Sequence, residues 1–214
     1  MFTGIVQTKG TIVSIEKRDN LSKIVVSVPE ADLEHLNIGA SIAINGVCLT
    51  VTRFEIDHKD VVGQVFFDVI DETLRLTNLG KVQQRDQVNV ERSLTFGTEI
   101  GGHIVSGHIQ TTARIAQIDL SEDNCCIRLV LDSKWLKYIL FKGFVAVDGA
   151  SLTVGEVFDD GFNLHLIPET LQVTNLGQRK VGDLLNIEVD QQTYTIVKTV
   201  ERVLAQQNTQ TFER

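Results

Sequence analysis

The chain has 214 residues, of which 43% are hydrophobic, and a formal net charge of −8. This length provides enough core for one large domain or two small ones, and the composition is typical of a folded protein rather than a disordered one. The negative charge would repel a nucleic-acid backbone or an anionic lipid surface, so we expect neither nucleic acid nor a membrane as a partner.

The first ten residues, MFTGIVQTKG, have the pattern of a strand and lack the basic and apolar regions of a secretion signal. Charges interrupt the apolar runs well before the ~20 residues needed to span a bilayer. Cys125 and Cys126 are adjacent and Cys48 lies far from them, so no disulfide framework is indicated. We therefore predict a cytoplasmic protein.

Short strands separated by Gly, Asn and Asp fill the first half of the chain. The runs KIVVSV, SIAI, CLTVT and VFFDVI are predicted strands, and the pair Asn45-Gly46 predicts a hairpin turn. PEADLEHL at 29–36 is a helical patch, and ETLRLTNLG at 72–80 predicts a further short helix.

The same order of elements returns in the second half. SKWLKYIL at 133–140 is again a helical patch, Asp148-Gly149 predicts a second hairpin, and Pro168 stands early in a second short helix, where its missing N–H is tolerated. The segment after residue 190 has one apolar helical stripe, formed by Ile196, Val197, Val200, Val203 and Leu204. Such a helix needs a partner surface, which we expect in another subunit.

Two sequence blocks show that the chain is duplicated. NGVCLTVT at 45–52 matches DGASLTVG at 148–155, and ETLRLTNLG at 72–80 matches ETLQVTNLG at 169–177 at seven of nine positions. The start FTGIVQ likewise matches VSGHIQ at 105–110, and a longer loop in the first copy explains the change in offset from 103 to 97 residues. We predict two copies, residues 1–97 and 98–190, followed by a helix and tail over 191–214.

Closure removes exposed strand edges, so about six strands per copy favour a barrel over a sandwich, which stays the alternative. The predicted fold class is all-β, with two tandem homologous six-stranded Greek-key β-barrels plus a C-terminal α-helix.

A small polar strand face recurs in both copies. Side chains alternate along a strand, so Cys48 and Thr50 share one face, and Ser151 and Thr153 repeat it. This pattern indicates the lining of a pocket, and the alternative is a set of hydrogen-bonded hydroxyls and a small thiol in an all-β core.

Histidine and charged residues supply further candidates. His108 stands where the first copy has Ile5, and it could move a proton near neutral pH or act as a structural histidine. For His103 we favour a structural role. Asp148 is explained by its turn, and Lys142 is typical of a solvated surface charge. The remaining histidines show no metal-ligand spacing, so we predict no metal site.

Nine blocks taken together resemble the riboflavin synthase family, whose members have two lumazine-binding barrels. The blocks are MFTGIV, NGVCLTV, DETLRLTNLG, VNVERS, GGHIVSGHI, FKGF, VDGASLTVGEV, LIPETLQVTNLG and NIEVD. Their order and duplication make the resemblance specific, and they extend over nearly the whole chain up to the C-terminal helix.

The resemblance implies a transferase that dismutates two molecules of 6,7-dimethyl-8-ribityllumazine, in the last step of riboflavin biosynthesis. One molecule gives four carbons to the other, which yields riboflavin and 5-amino-6-ribitylaminopyrimidinedione without any cofactor. It also implies a homotrimer in which the first barrel of one subunit faces the second barrel of its neighbour, and lumazine synthase is a further candidate partner. The alternatives are a non-catalytic lumazine- or flavin-binding optical (antenna) protein and a generic barrel binding module.

The resemblance also implies the ligand contacts. In the first barrel they are Gly4, Ile5, Val6, Cys48, Leu49, Thr50, Asp68, Val69, Ile70, Asp71, Glu72 and Thr73. In the second barrel they are Gly107, His108, Ile109, Lys142, Ser151, Leu152, Thr153, Leu166, Ile167, Pro168, Glu169, Thr170 and Leu171. The implied catalytic groups are His108, Ser151, Thr153, Cys48 and Asp148, the last as an orienting acid near Ser151.

Overall fold

The computed structural model describes residues 1–122 and 124–212. Six antiparallel strands form a first closed barrel in the order β1-β2-β5-β4-β3-β6. These strands are β1 (Thr8–Lys17), β2 (Leu21–Pro29), β3 (Ser41–Ile44), β4 (Val47–Asp57), β5 (Val62–Ile70) and β6 (Gln87–Arg92).

The second barrel repeats this topology, with β7 beside β8 and β12, and β9 closing against β10. Its strands are β7 (Thr111–Leu120), β8 (Cys125–Val130), β9 (Phe144–Val147), β10 (Ala150–Phe158), β11 (Gly161–Leu166) and β12 (Leu184–Val189). The predicted pair of six-stranded barrels is therefore confirmed. The extra residues of the first copy lengthen the β4–β5 hairpin relative to β10–β11.

Local sequence signals account for most turns and helices. Asn45 and Asp148 both have positive φ, 47° and 45°, as the predicted hairpin turns require. The short helices α1 (Asp71–Leu76) and α2 (Pro168–Val173) lie where the ETL blocks predict them, and Pro168 is in the first turn of α2. The two helical patches form only 3₁₀ turns, at Glu30–Leu33 and Ser133–Tyr138.

Each barrel has its own apolar core. Ile24, Val51 and Phe67 are among the fully buried residues of the first core, and Leu129 and Phe162 are among those of the second. A bulge shifts the β1–β2 register at Ile12/Ser14, and its equivalent shifts β7–β8 at Ile115/Gln117. Such bulges bend a strand and help a small sheet to close.

The barrels pack together through a smaller apolar cluster of Phe2, Ala43, Val105 and Ala146. The two hairpin turns meet back to back beside it, because a Cβ built on Gly46 would lie 2.6 Å from Gly149 N. The halves of the chain are thus related by an approximate two-fold axis that passes between the turns.

Buried asparagines connect the barrels across this axis. Asn78 N donates to Asn186 Oδ1 at 2.7 Å, and the equivalent Asn175 N donates to Asn89 Oδ1 at 2.7 Å. Asn45 Oδ1 accepts from Asn89 N at 2.8 Å. Buried polar groups satisfied in this way specify one relative orientation of the two barrels.

The chain continues after the second barrel in α3 (Gln191–Phe212). One face of α3 lies on the second barrel, where the Tyr194 and Tyr138 rings are 4.9 Å apart and Val197 packs against the core. Ile196, Val200 and Val203 lie on the other side and are 43% to 63% exposed. The predicted apolar stripe is therefore divided between the barrel and solvent, and residues 213 and 214 of the predicted tail lie outside the described residues.

No helix in the described part of the chain is long and apolar enough to cross a membrane.

Candidate functional site

The segment that precedes each barrel packs on the other barrel. We call residues 2–6 the N-terminal arm and residues 105–109 the linker arm. The arms pair with each other, since Phe2 N donates to Val105 O at 2.8 Å and Val105 N to Phe2 O at 3.0 Å. Each arm then runs along the partner barrel, so the arms are exchanged about the two-fold axis.

The N-terminal arm lies on β10 of the second barrel. Ser151 N donates to Gly4 O at 2.7 Å, and Val6 is part of the second barrel's core. A Cβ built on Gly4, whose φ is +74°, would lie 2.6 Å from Ser151 Cβ, so this approach requires glycine. The N-terminal arm, which the resemblance assigns to the first barrel, therefore also borders the strand that carries Ser151 in the second barrel.

The linker arm makes the equivalent contact with β4 of the first barrel. Cys48 N donates to Gly107 O at 2.9 Å, and Ile109 packs against the first core. The linker arm with Gly107, His108 and Ile109, which the resemblance assigns to the second barrel, likewise borders the strand that carries Cys48 in the first barrel. His108 consequently belongs with Cys48 and not with Ser151.

We call the first of these places the Ser151 site. Ser151 and Thr153 face outward from β10, partly exposed and exposed respectively, while Leu152 packs against the core. The predicted alternation is correct, and the polar face lies outside the barrel core. Lys142 is held next to this strand because its N–H donates to Val154 O at 2.9 Å.

The predicted segment from Leu166 to Leu171 crosses from β11, the neighbour of β10, into α2. Leu166 is buried in the core, whereas Ile167 is 60% exposed. Leu166, Pro168 and Leu171 also line a cavity of about 710 Å³ at the end of the second barrel. The segment therefore borders both the outer face and the mouth of this barrel.

The Ser151 site also contains a histidine for which the sequence favoured a structural role. His103 Nδ1 and Ser151 Oγ lie 2.7 Å apart, and the imidazole stacks on Phe144 with ring centroids 5.2 Å apart. Burial lowers the pKa of His103, against the opposing effect of the Asp190 carboxylate. A neutral imidazole next to a hydroxyl is an arrangement suited to proton transfer.

One sequence signal could have identified His103. Two adjacent glycines, Gly101 and Gly102, stand directly before His103 and lead into the linker arm. A Cβ built on Gly102 would lie 2.3 Å from Thr3 O and 2.8 Å from Ser151 Cβ. The glycine thus allows this segment to reach the Ser151 site.

The second place is the Cys48 site, on β4 of the first barrel. Cys48 is partly exposed and Thr50 exposed, while Leu49 is buried in the core, as the alternation predicts. His108 is exposed beside this strand. The segment from Asp68 to Thr73 passes from β5 into α1, with Val69 buried and its neighbours Asp68, Ile70, Asp71 and Glu72 exposed.

Asp148 lies in the interface between the barrels and has no contact with the Ser151 hydroxyl, which pairs with His103. Its buried carboxylate accepts from Asn186 N at 2.7 Å and Asn78 Nδ2 at 2.8 Å, and pairs with Arg179 at 2.7 Å. Burial raises the pKa of Asp148, and the Arg179 guanidinium opposes this effect. The predicted orienting role beside Ser151 is therefore replaced by one in barrel packing.

Within residues 1–122 and 124–212, no group of three His, Cys, Asp or Glu side chains is arranged to hold a metal ion. The three cysteines are free thiols.

Comparisons with known proteins agree with the duplication. The family model described as the lumazine binding domain matches residues 3–93 and 106–190. Riboflavin synthase of Escherichia coli (strain K12) is 53% identical over 206 residues, which cover 96% of this chain and 94% of that protein.

Two crystal structures of LumP resemble the fold. The complex with 6,7-dimethyl-8-(1'-D-ribityl) lumazine has a TM-score of 0.78 at 26% identity and covers 89% of this chain and 99% of that one. The complex with riboflavin has a TM-score of 0.79 at 29% identity and covers 89% and 100%. Both ranges matched by the family model include most of an arm together with the barrel that follows it.

Proposed function

Because the chain belongs to the riboflavin synthase family of lumazine-binding proteins, we propose that it dismutates two molecules of 6,7-dimethyl-8-ribityllumazine. A four-carbon unit passes from one molecule to the other, and the products are riboflavin and 5-amino-6-ribitylaminopyrimidinedione. The observation that carries this proposal is the duplicated site, in which an arm of one copy lies on the polar strand of the other. A reaction between two identical molecules needs two such places.

We infer that the Ser151 site and the Cys48 site each hold one lumazine. The two sites share a glycine arm, an outward polar strand and a strand-to-helix segment, which suits them to the same ligand. They differ in their chemistry, with Ser151 and His103 in one and Cys48 and His108 in the other. This difference allows identical molecules to act as donor and acceptor.

The substrate supplies much of the reactivity. Its methyl group on ring carbon 7 can lose a proton to give a carbanion, which attacks the second molecule after a nucleophile has added there. Holding two rings in a reactive orientation can lower the barrier by ~7–11 kcal/mol. The chief task of the protein is then to orient the rings and to move protons.

His103 and Ser151 are the groups that we propose for proton transfer in the second barrel. The neutral imidazole can accept the hydroxyl proton across the 2.7 Å contact, and the hydroxyl can relay a proton to or from the bound ring. Thr153, on the same strand face, adds a further hydroxyl toward the ligand. Cys48 and His108 have the corresponding places in the first barrel.

We further propose a homotrimer in which α3 supplies contacts between subunits. The exposed side of α3 carries Ile196, Val200 and Val203, and exposed apolar rows of this kind mark association surfaces. The side chains of Ser151 and Cys48 point outward from their barrels. A neighbouring subunit can therefore cover them and bring two bound rings together.

Incubating the purified protein with the lumazine and following riboflavin absorbance tests the activity. We expect one riboflavin and one diaminopyrimidine from two lumazines, and a loss of turnover of ~10²-fold or more in Ser151→Ala. Ligand affinity, measured by fluorescence titration, should change much less, because the substitution leaves the shape of the site nearly intact.

A non-catalytic optical protein is the second candidate, because LumP, crystallised with the lumazine and with riboflavin, has the same fold. Identity to that protein is 26% to 29%, against 53% to the E. coli enzyme. Ligand binding without any riboflavin formation would favour this candidate.

A further inference from the structure

Two buried glutamates occupy equivalent places in the last strand of each barrel. Glu91 lies on β6 and Glu188 on β12, 97 residues apart, and they are 5% and 2% exposed. Both side chains turn away from their own barrel core toward the arms. They have no part in the proton transfers proposed above.

The carboxylate of Glu188 holds the linker arm. Its Oε1 accepts from Ser106 N at 2.7 Å, and its Oε2 accepts from Gly107 N at 2.9 Å. Gly107 is the residue whose carbonyl accepts from Cys48 N. A carboxylate of the second barrel thus fixes the backbone that borders the Cys48 site of the first.

Glu91 holds the N-terminal arm in the same manner. Its Oε1 accepts from Thr3 N at 2.6 Å and from the Thr3 hydroxyl at 2.8 Å, and its Oε2 accepts from Gly4 N at 3.1 Å. Gly4 O in turn accepts from Ser151 N. The carboxylate of the first barrel therefore supports the site of the second.

We propose that Glu188 and Glu91 are positioning residues, each of which shapes the ligand site of the opposite barrel through the arm that it holds. The proposal rests on the function proposed above, since it requires that the arms border ligand sites. Removal of one carboxylate should impair one site and spare the other, and the impaired site should belong to the barrel that does not carry the substitution.

The charge of these residues suits them to this task. Only a carboxylate offers two acceptor oxygens to two neighbouring N–H groups, and such charge-assisted bonds are stronger than neutral ones. Burial raises the pKa of both glutamates, while the arm amides oppose the shift. Burying each charged carboxylate therefore costs free energy. An apolar residue that only packed at the same position would carry no such cost.

Glutamine is the matched substitution because it preserves size. Its amide nitrogen would face one of the two arm N–H groups, donor against donor, and would leave that group without an acceptor. Glu156→Gln is the control, because Glu156 is an exposed residue of β10 that makes no hydrogen bond to either arm among the described residues. All three variants are made in the full chain.

Protection of Cys48 from iodoacetamide by riboflavin, followed by mass spectrometry, reports on the Cys48 site alone, with Cys126 as the internal reference. We expect the riboflavin concentration for half protection to rise about tenfold or more in Glu188→Gln. It should stay within about twofold of wild type in Glu91→Gln and Glu156→Gln. Equilibrium dialysis should show that Glu91→Gln loses riboflavin binding at the Ser151 site instead.

Hydrogen exchange gives a second, ligand-independent measurement. Glu188→Gln should accelerate exchange at residues 106–109 only, and Glu91→Gln at residues 3–6 only. Glu188→Asp, which keeps the charge on a shorter side chain, replaces the Gln variant if that variant does not fold, and should weaken the same site.

Several outcomes would overturn the proposal. One is that both variants weaken both sites equally. Another is that each variant weakens only the site of the barrel that carries the substitution. The third is that neither variant weakens either site. A wild-type protein that binds riboflavin but forms none from lumazine would refute only the proposed function. A wild type that binds neither ligand would refute both.

Discussion

The buried ion pair between Asp148 and Arg179 can be tested by converting it into its counterpart in the first copy. There the equivalent residues are Asn45 and Val82, which are uncharged. We therefore consider Asp148→Asn, Arg179→Val and the double variant. The double variant gives both halves of the interface the same chemistry.

The expected magnitudes follow from the partners of each group. Arg179→Val leaves the fully buried Asp148 carboxylate without its cation, and such a loss costs ~3–5 kcal/mol of unfolding free energy. Asp148→Asn turns an amide toward Arg179 and should cost ~1–3 kcal/mol. In the first copy the equivalent Asn45 Nδ2 donates to Asn78 Oδ1 at 3.3 Å. By the same geometry the new amide should donate to Asn175 Oδ1, which has no hydrogen-bond partner among the described residues.

The double variant removes both charges together, so neither is left buried alone. We expect its stability to lie within ~1 kcal/mol of wild type, which corresponds to a coupling energy of at least ~3 kcal/mol between the two substitutions. The assay is urea unfolding at neutral pH and one protein concentration, followed by near-ultraviolet circular dichroism. A double variant that is no more stable than the less stable of the two single variants would refute the reasoning.

Three other predictions concern pH, assembly and autonomy. Burial places the pKa of His103 below its usual value, so folding disfavours protonation, and stability present above ~pH 6.5 should be lost as the pH falls through the folded-state pKa. The His103→Asn variant should lose less melting temperature than wild type between pH 7.5 and 5.5. An equal loss in both proteins would mean that His103 is not the titrating group. A chain that ends at Asp190 should sediment as a smaller species than the full chain, because α3 carries the exposed apolar row, whereas an unchanged species would mean that α3 has no role between subunits. A fragment of residues 1–97 lacks the linker arm, and its N-terminal arm has no β10 to lie on. It should therefore dimerise, with each N-terminal arm on β4 of the other chain. A stable monomer in sedimentation equilibrium would contradict this exchange.

The sequence alone determined the repeat and the local elements. Asn45-Gly46 and Asp148-Gly149 favour a turn geometry that only a few residue types adopt easily, and Pro168 suits the first turn of a helix, so these features depend on near neighbours. Period-two alternation around Cys48 and Ser151 determined which side chains leave the core. The helical patches at 29–36 and 133–140 form only 3₁₀ turns, because 3₁₀ turns satisfy the same short apolar spacing as an α-helix.

Only the tertiary structure decided which barrel each arm joins. The two copies present similar arms and similar strands, so Gly4 could have paired with β4 or with β10, and no local pattern distinguishes these choices. Antiparallel pairing of Phe2 with Val105, across 103 residues, selects the exchanged arrangement. This arrangement separates His108 from Ser151 and places His103 beside the Ser151 hydroxyl instead. Asp148 is left to the packing between the barrels. Long-range strand pairing, and not sequence proximity, brings His103 and Ser151 together.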